Sequence, residues 1–325
     1  MAARLKPKTM EYTAVIRTLG RAGEKYQTLL DSLLAQTIRP AAIVVYIAEG
    51  YPLPAETVGV ERYVRVRKGM MAQRALPYTE VRTEWMLLLD DDVWLSRDAV
   101  ERMHGFLLRY RADVISPDVF HNAARPWTSE LLMTLSGRMH ARRHDPYWGY
   151  KVMRTAGYSY NKHPAEVMES QANAGPCLLC RKVQFAGIRL QDELWIDRLP
   201  YALGEDQIMF YKMYRRGLKV LTWYGGGVRH LDAGGNLSSG RKERRLLYCD
   251  LWFKTVFWHR FLFLPERSWL VRIWAAACLL YVYAFSAVAS LLKGRWDVLK
   301  IKFGAVADAV RFIRSEAYQS LPRIV

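Results

Sequence analysis

Residues Trp85 to Asp92 read WMLLLDDD, an apolar run that ends in three consecutive aspartates. The run predicts a buried β-strand, because a strand covered on both faces is hydrophobic throughout. Asp90, Asp91 and Asp92 would then stand at the carboxyl end of the strand, where ligands gather in open α/β sheets. This stretch predicts an α/β fold and marks one edge of its sheet as functional.

The chain before this strand predicts a strand–helix–strand unit, which is typical of a parallel sheet. The expected strands are short apolar runs at Thr13–Thr18, Ala41–Glu49 and Tyr63–Val66. The expected helices are Lys25–Gln36, with leucines at helical spacing, and Met70–Glu80.

The chain after this strand continues the same alternation. Ser96 is expected to cap a helix that begins near Arg97. Further strands are predicted at Asp113–Ser116, Gly175–Cys180 and Leu218–Thr222, and a helix at Asp206–Arg216. Cys177 and Cys180 would then be core residues, since no second ligand pair for zinc lies nearby. The fold class expected is α/β, with a mostly parallel central sheet flanked by helices.

The three aspartates predict a divalent cation. Adjacent carboxylates repel one another unless a cation neutralises them. Asp90 and Asp92 can address one ligand, because alternate residues of an extended chain share a face. Oxygen ligands suit Mg²⁺ or Mn²⁺, which would bridge to a diphosphate. The alternative is a solvated cluster that caps a helix.

Two further motifs carry side chains suited to catalysis or metal binding. Gly204-Glu205-Asp206 opens the predicted helix, where a carboxylate is stabilised as the anion that a general base requires. His230 lies in the glycine-rich stretch GGGVRHLDAGG, and imidazole is a common metal ligand. The alternatives are acidic capping of the first helical turn and an ordinary surface histidine.

The end of the chain predicts contact with a lipid surface. The formal net charge is +17, and residues 241–325 hold 15 basic against 6 acidic residues among many aromatic ones. Such a region suits anionic headgroups, whereas a nucleic-acid partner is disfavoured because no binding motif accompanies the charge. The four cysteines are too few for a disulfide framework, and no signal peptide is evident, so we expect a cytosolic setting.

One segment of this region, Ile273 to Leu292, runs for 20 residues without a charge. Both of its flanks are basic, so a single crossing would oppose the positive-inside preference. Val298–Ile313 is amphipathic. We expect interfacial or re-entrant helices with both ends cytoplasmic; one true span and a buried soluble helix are the alternatives.

The order of these motifs resembles glycosyltransferase family two, which has the GT-A nucleotide-sugar-binding fold. LLDSLLAQTIRPAAIVV is similar to the family's first helix, Q-T-x-x-P turn and second strand, and Ala72-Gln73-Arg74 lies at its A-R-N position. Asp90 to Asp92 match its D-x-D, and Gly204-Glu205-Asp206 its G-E-D. The resemblance covers about residues 11–235, and LLKGRWDVLKIKFGAVADAV is similar to the end of O-antigen-type transferases. Ala48-Glu49-Gly50-Tyr51 departs from the usual Asp-Asp-Gly-Ser, and Arg17 replaces a proline.

The resemblance implies a role for each matching residue. The side chains that would contact the nucleotide sugar are Thr18, Glu49, Arg74, Asp90 and Asp91. The ligands that would hold Mn²⁺ or Mg²⁺ are Asp92 and His230, with Asp90 beside them. Asp206 would deprotonate the acceptor hydroxyl for inverting transfer, and Glu205 is the second candidate base.

Together these inferences predict a catalytic domain at 1–240 and a membrane-associating helical region at 241–325. The activity expected is metal-dependent transfer of a sugar from a nucleotide donor to a lipid-linked glycan at the cytoplasmic face of the inner membrane. A UDP-sugar is the preferred donor, with dTDP- and GDP-sugars open. A polyprenyl-phosphate sugar transferase, a sugar nucleotidyltransferase and a non-enzymatic membrane- or nucleic-acid-binding protein are the alternatives.

Overall fold

The computed structural model describes residues 10–119, 126–137, 148–161, 164–232 and 240–324 of the chain. The strands of these residues are short and mostly apolar. They are β1 Tyr12–Thr18, β2 Ala42–Ala48, β3 Glu61–Val66, β4 Trp85–Asp90, β5 Val93–Leu95, β6 Val114–Pro117, β7 Tyr150–Val152, β8 Tyr158–Tyr160, β9 Val167–Glu169, β10 Cys177–Arg181, β11 Val220–Trp223 and β12 Val228–His230.

The three longest helices of the described residues lie near the end of the chain, at α6, α7 and α8 of the full set. That set is α1 Glu24–Leu34, α2 Ala99–Tyr110, α3 Trp127–Leu135, α4 Lys182–Gly187, α5 Glu205–Arg215, α6 Gly240–Phe257, α7 Trp269–Leu292, α8 Trp296–Arg314 and α9 Glu316–Gln319. A 3₁₀ segment spans Leu190–Arg198, and a π-helical turn at Trp258–Phe263 continues α6.

Eight strands form one mixed sheet in the order β3-β2-β1-β4-β10-β6-β11-β9. The pairs β1–β2, β2–β3, β1–β4 and β6–β11 are parallel, whereas β10 is antiparallel to both of its neighbours. Because β10 reverses direction between β4 and β6, those two strands end at the same edge. The expected α/β class, with a mostly parallel sheet flanked by helices, is confirmed.

Helices cover both faces of the sheet, so its central strands are apolar on both sides. In β4, Leu87 and Leu89 pack toward α1 and α2, whereas Met86 and Leu88 pack into the core that α5, α6 and α8 share. This alternation has the period of two expected of a strand. The cysteines Cys177 and Cys180 of β10 are fully buried, in agreement with their predicted place in the core.

The helix predicted at Met70–Glu80 is wrong. The carboxylate of Asp197 accepts hydrogen bonds of 2.8 Å from the backbone N–H groups of Met71 and Ala72. The chain then makes a turn, and regular structure is interrupted at Pro77 and at Tyr78, which has a φ of 51°. A partner distant in sequence therefore holds a turn where local periodicity predicts a helix.

The predicted cap at Ser96 is also wrong. The Ser96 hydroxyl donates to the Asp98 carboxylate at 3.0 Å, and α2 begins at Ala99 without a side-chain cap. The Ser96 carbonyl accepts from the Ala99 N–H at 3.0 Å instead. The residue thus stabilises the turn before the helix through its backbone.

The C-terminal helices pack against α5 and the 3₁₀ segment through a buried ionic cluster. Glu193 accepts from Arg260 of the π-helical turn at 2.7 Å and from Lys212 of α5 at 2.8 Å. Burial acts to raise the pKa of Glu193, but the Arg260 hydrogen bond and the Lys212 charge outweigh it and leave that pKa lowered. Residues 240–324 are therefore tied to α5 by charge as well as by apolar packing.

We expect Glu193→Gln to lower the free energy of unfolding by about 3 kcal/mol or more, because it leaves two buried cations without their anion. Thermal and denaturant unfolding would measure the change. Glu84→Gln is the matched control, since it breaks the exposed Glu84–Arg181 pair and should cost less than about 1 kcal/mol.

The loss of stability caused by Glu193→Gln should depend on pH. Because the folded pKa of Glu193 lies below its unfolded value, its stabilisation is present above the unfolded pKa and disappears as the pH falls through the lowered folded value. The difference between wild type and Glu193→Gln should therefore shrink in acid. A difference that stays constant down to the acid limit of folding would contradict this account.

Candidate active site

The candidate site lies at the edge of the sheet where β1, β2, β4, β6 and β11 end. β4 delivers Asp90 to this edge, and the parallel strand β1 delivers Thr18 beside it. β10 begins there, because its antiparallel direction places Cys177 opposite Leu89. The strand order thus brings together residues that are far apart in sequence.

Asp90, Asp92 and His230 form the one group of potential metal ligands found among the described residues. One ligand atom from each lies within 4.8 Å of the other two. His230 is placed by β12, which pairs with β5 in a two-stranded sheet, and its Nε2 lies 3.2 Å from Oδ1 of Asp92. Two carboxylates and one imidazole fit Mn²⁺, which accepts both oxygen and nitrogen ligands. The structure thus brings the three predicted ligands together, and metal binding by them stays a prediction.

Two residues at the carboxyl end of β1 donate hydrogen bonds to Asp90 and Asp91. The buried Arg17 guanidinium donates to Oδ1 of Asp90, and the Thr18 hydroxyl donates to Asp91. Burial raises the pKa of Asp91 to about 6; the Thr18 bond opposes this rise, and the charges of Asp92 and Asp90 add to it. Arg17 therefore neutralises part of the acidic cluster, and Asp92 is the aspartate that faces His230.

A second acidic group, formed by Glu205 and Asp206, opens α5. Arg74 is buried beneath both acids, with its Nη2 3.3 Å from Glu205 and 2.5 Å from Asp206. Its Nη1 also donates to the Gly175 carbonyl at 3.4 Å. The charges of Asp206, Glu205 and Asp90 together raise the pKa of Arg74 against the effect of burial. Arg74 thus pairs with both acids of α5, and the charge of Asp90 in the first acidic group also acts on it.

The two acids of α5 differ in their access to solvent. The Glu205 side chain is 9% exposed and that of Asp206 is 28% exposed. Burial and the neighbouring Asp206 charge raise the pKa of Glu205 to about 8, although Arg74 opposes the rise. Asp206, the more exposed of the two acids, is therefore the carboxylate placed to take a proton from an incoming group.

Two glycines make this arrangement possible. A Cβ on Gly175 would lie 2.2 Å from Oδ1 of Asp206, so only glycine leaves room for the carboxylate. Gly204 has a φ of 97°, and a Cβ there would lie 2.2 Å from the Phe253 ring of α6. A C-terminal helix therefore packs directly on the turn that presents both acids.

The residues expected to contact a nucleotide occupy different environments. The carboxyl end of β1 places Thr18 at the edge, whereas Glu49 follows β2 and is exposed. Gln73 connects Arg74 to this region, because its amide donates to the Thr18 carbonyl at 3.3 Å. The Arg74 guanidinium itself points to the acids of α5. Nucleotide contact by these residues stays a prediction.

Local patterns did not reveal every residue at this edge. Arg17 was noticed as a departure from the family pattern, but its pairing with Asp90 depends on the β1–β4 register. Asp118 is buried just beyond β6 and accepts from the Tyr150 hydroxyl at 2.8 Å. An acid directly after an apolar strand is the signal that could have identified it.

Comparison with known proteins finds similarity among solved structures. No protein-family model and no curated protein matches the sequence. Among solved structures, the chain is similar to the crystal structure of GalNAc-T7 with UDP, GalNAc and Mn²⁺, with a TM-score of 0.49 and 14% sequence identity. The match covers 86% of this chain and 55% of that one, so the chain spans about half the length of that protein.

We expect Asp92→Asn to weaken Mn²⁺ binding by about tenfold or more, because it removes a charged ligand beside His230. Electron paramagnetic resonance of free Mn²⁺ in a titration would measure this. Asp31→Asn on α1 removes the same charge outside the cluster and should leave binding unchanged. Equal affinity in all three proteins would exclude the cluster as the cation site.

Gly175→Ala should displace the Asp206 carboxylate without removing any charged group, since the added methyl would occupy its position. Gly105→Ala is the control, because Gly105 has open space around it and lies inside α2, where alanine is favoured. Crystal structures of the two variants would give the position of Asp206. An unmoved carboxylate in Gly175→Ala would contradict the packing described.

Proposed function

We propose that this protein is a metal-dependent, inverting glycosyltransferase that transfers a sugar from a nucleotide diphosphate to a hydroxyl of a lipid-linked glycan. The observation that carries the proposal is the meeting of two acidic groups at one sheet edge. One is the Asp90–Asp92–His230 cluster, which has a donor set for a divalent cation. The other is the Glu205–Asp206 pair, held by Arg74.

The chemistry of sugar transfer requires both groups. A diphosphate leaving group needs positive charge where its negative charge develops, and the acceptor hydroxyl needs a base. Asp92 and His230 would hold Mn²⁺ or Mg²⁺, which offsets charge on the diphosphate when bound. The donor would lie against Thr18, Glu49, Asp90 and Asp91 on the same edge.

Asp206 acts as the base in this proposal. Its carboxylate is partly exposed, whereas the Glu205 side chain is more deeply buried. Arg74 fixes the carboxylate, so the lone pair that takes the acceptor proton has a defined direction. A single displacement by the deprotonated hydroxyl at the anomeric carbon, with departure of the nucleotide diphosphate, inverts the configuration.

The proposed location is the cytoplasmic face of the inner membrane. Among the described residues, α7 is the one helix long and apolar enough to cross a membrane, with a mean hydropathy of 2.0. This finding alone is weak evidence, because core helices of soluble proteins pass the same test. Unlike a core helix, however, α7 is exposed along one side, at residues such as Ile273, Leu280 and Leu292.

Contacts along the other side of α7 support an interfacial helix over a span. Thr255 of α6 bonds the Tyr283 hydroxyl at 2.8 Å, and the Trp258 indole donates to the Ala275 carbonyl at 3.3 Å. The Lys302 ammonium of α8 donates to the Ser286 and Ser290 hydroxyls. A crossing helix would carry this lysine toward the hydrocarbon core, which is costly.

A transfer assay with the full-length protein tests the proposal. The wild-type protein, given Mn²⁺, a set of nucleotide sugars and lipid-linked saccharides, should form a glycosidic bond of inverted configuration. Asp206→Asn should lower the rate by about 10²- to 10⁴-fold while donor binding is retained, because only the base is lost. Asp297→Asn is the matched control, since Asp297 also lies in the first turn of a helix and pairs with an arginine.

Three outcomes separate the proposal from its rivals. Transfer to polyprenyl phosphate alone, with little dependence on Asp206, would favour a polyprenyl-phosphate sugar transferase. Release of pyrophosphate from a nucleoside triphosphate and a sugar phosphate would indicate a nucleotidyltransferase. Failure of every sugar nucleotide to bind with Mn²⁺ would overturn the proposal of an enzyme.

A further inference from the structure

We infer that α3 is a second membrane-contacting helix, and that it forms one lipid-facing surface with α7. This α3–α7 surface consists of Trp127, Leu131, Leu132 and Leu135 on α3, together with the exposed side of α7. Its occupant is an anionic phospholipid bilayer. The inference rests on the proposed membrane location and does not require sugar transfer.

The exposed side of α3 is its apolar side. Trp127 is 72% exposed, and Leu131, Leu132 and Leu135 are each about half exposed. These positions follow helical spacing and share one face, whereas Ser136, directly after the helix, is buried. A helix that turns its leucines outward has the arrangement expected of a helix seated in a lipid interface.

The exposed side of α7 is equally apolar and continuous. Leu270, Ile273, Leu280, Val288 and Leu291 are exposed and recur at intervals that place them on one helical face. Ala275, Leu279 and Ser290 on the opposite face are buried against the neighbouring helices. The sequence of α7 contains no aspartate or glutamate. Contiguous exposed apolar surface of this kind marks a site of contact with a membrane or another protein.

The two helices touch each other, so their apolar faces belong to one surface. The Tyr281 hydroxyl of α7 donates to the Leu135 carbonyl at the end of α3. A Cβ on Gly137 would lie 2.8 Å from the Val282 side chain. The end of α3 is therefore packed close to the middle of α7.

Charges and indole rings around this surface favour a bilayer over a second copy of the chain. Trp127, Trp269, Trp274 and Trp296 are all more than half exposed, and indole rings prefer the headgroup level. Arg267, Lys293 and Arg295 flank α7 and are exposed. Two copies meeting through this surface would bring these cations together, whereas anionic headgroups would neutralise them.

The α3–α7 surface is also linked to the candidate base. The Gly137 carbonyl accepts from the Thr155 hydroxyl at 3.3 Å, in the turn between β7 and β8. In the same turn, the Ala156 carbonyl accepts a hydrogen bond of 3.0 Å from the side-chain amide of Gln207, the residue that follows Asp206 on α5. One hairpin therefore separates the proposed lipid contact from Asp206.

The test uses the full-length protein and vesicles of phosphatidylglycerol and phosphatidylethanolamine. Leu131→Ser/Leu132→Ser/Leu135→Ser should lower the vesicle partition coefficient by about tenfold or more, because three leucines lose their burial in lipid. These side chains are exposed, so the variant should keep its melting temperature. Leu108→Ser/Val183→Ser is the matched control, since both residues are exposed and apolar but lie on α2 and α4.

A positional probe gives an independent measurement. An environment-sensitive fluorophore at Leu132→Cys, in a Cys278→Ser background, should brighten and shift to the blue with vesicles, whereas one at Leu108→Cys should not. An unchanged probe, or an unchanged partition coefficient in the triple variant, would overturn the inference. A blue shift without vesicles that follows protein concentration would also overturn it, since a second copy would then cover the surface. Mn²⁺-dependent nucleotide binding by the triple variant, expected to be unchanged, keeps this result separate from a failure of the proposed enzyme.

Discussion

Concentrated negative charge at one sheet edge is the constraint on which the site depends. Five acidic residues from two parts of the chain come together there, namely Asp90, Asp91, Asp92, Glu205 and Asp206. Carboxylates this close repel one another and destabilise the folded state unless cations or protons balance their charge. Two buried arginines supply part of that balance: Arg17 binds the first aspartate, and Arg74 binds the acids of α5. The remaining negative charge includes that of Asp92, where a divalent cation would complete the neutralisation.

Elements whose stability is local can be predicted from the amino-acid sequence. WMLLLD and AAIVVYIAE are continuous apolar runs, and they form β4 and β2 close to the expected bounds. The helix predicted at Met70–Glu80 does not form, because Asp197, more than a hundred residues away, holds this segment in a turn. The same limit applies to Arg74: its motif marks the residue, but its partners on α5 depend on how the sheet is ordered.

Between Asp118 and Ala174, secondary structure could not be predicted from the sequence for a second reason. Its hairpin strands β7 and β8 have three residues each, too few for an alternation to be recognised. Apolar residues of a helix are usually assumed to face the core. This assumption is wrong for α3, whose apolar residues are exposed. Periodicity indicates that a helix has two faces, but burial in the fold decides which one meets the protein. The antiparallel insertion of β10 likewise depends on the whole sheet.

The contact between Gly204 and Phe253 has a consequence for how the molecule can be divided. The aromatic ring of α6 fills the space that a side chain would occupy at the turn before Glu205. The turn that presents Glu205 and Asp206 is thus shaped in part by a residue beyond the region whose motifs resemble transferases. Shortening the chain after the last motif would remove that support, and transferring the last helices to another protein would leave the Phe253 ring without the glycine it packs against. The sheet and the C-terminal helices are therefore not independent modules, because Phe253 of α6 completes the packing around Gly204.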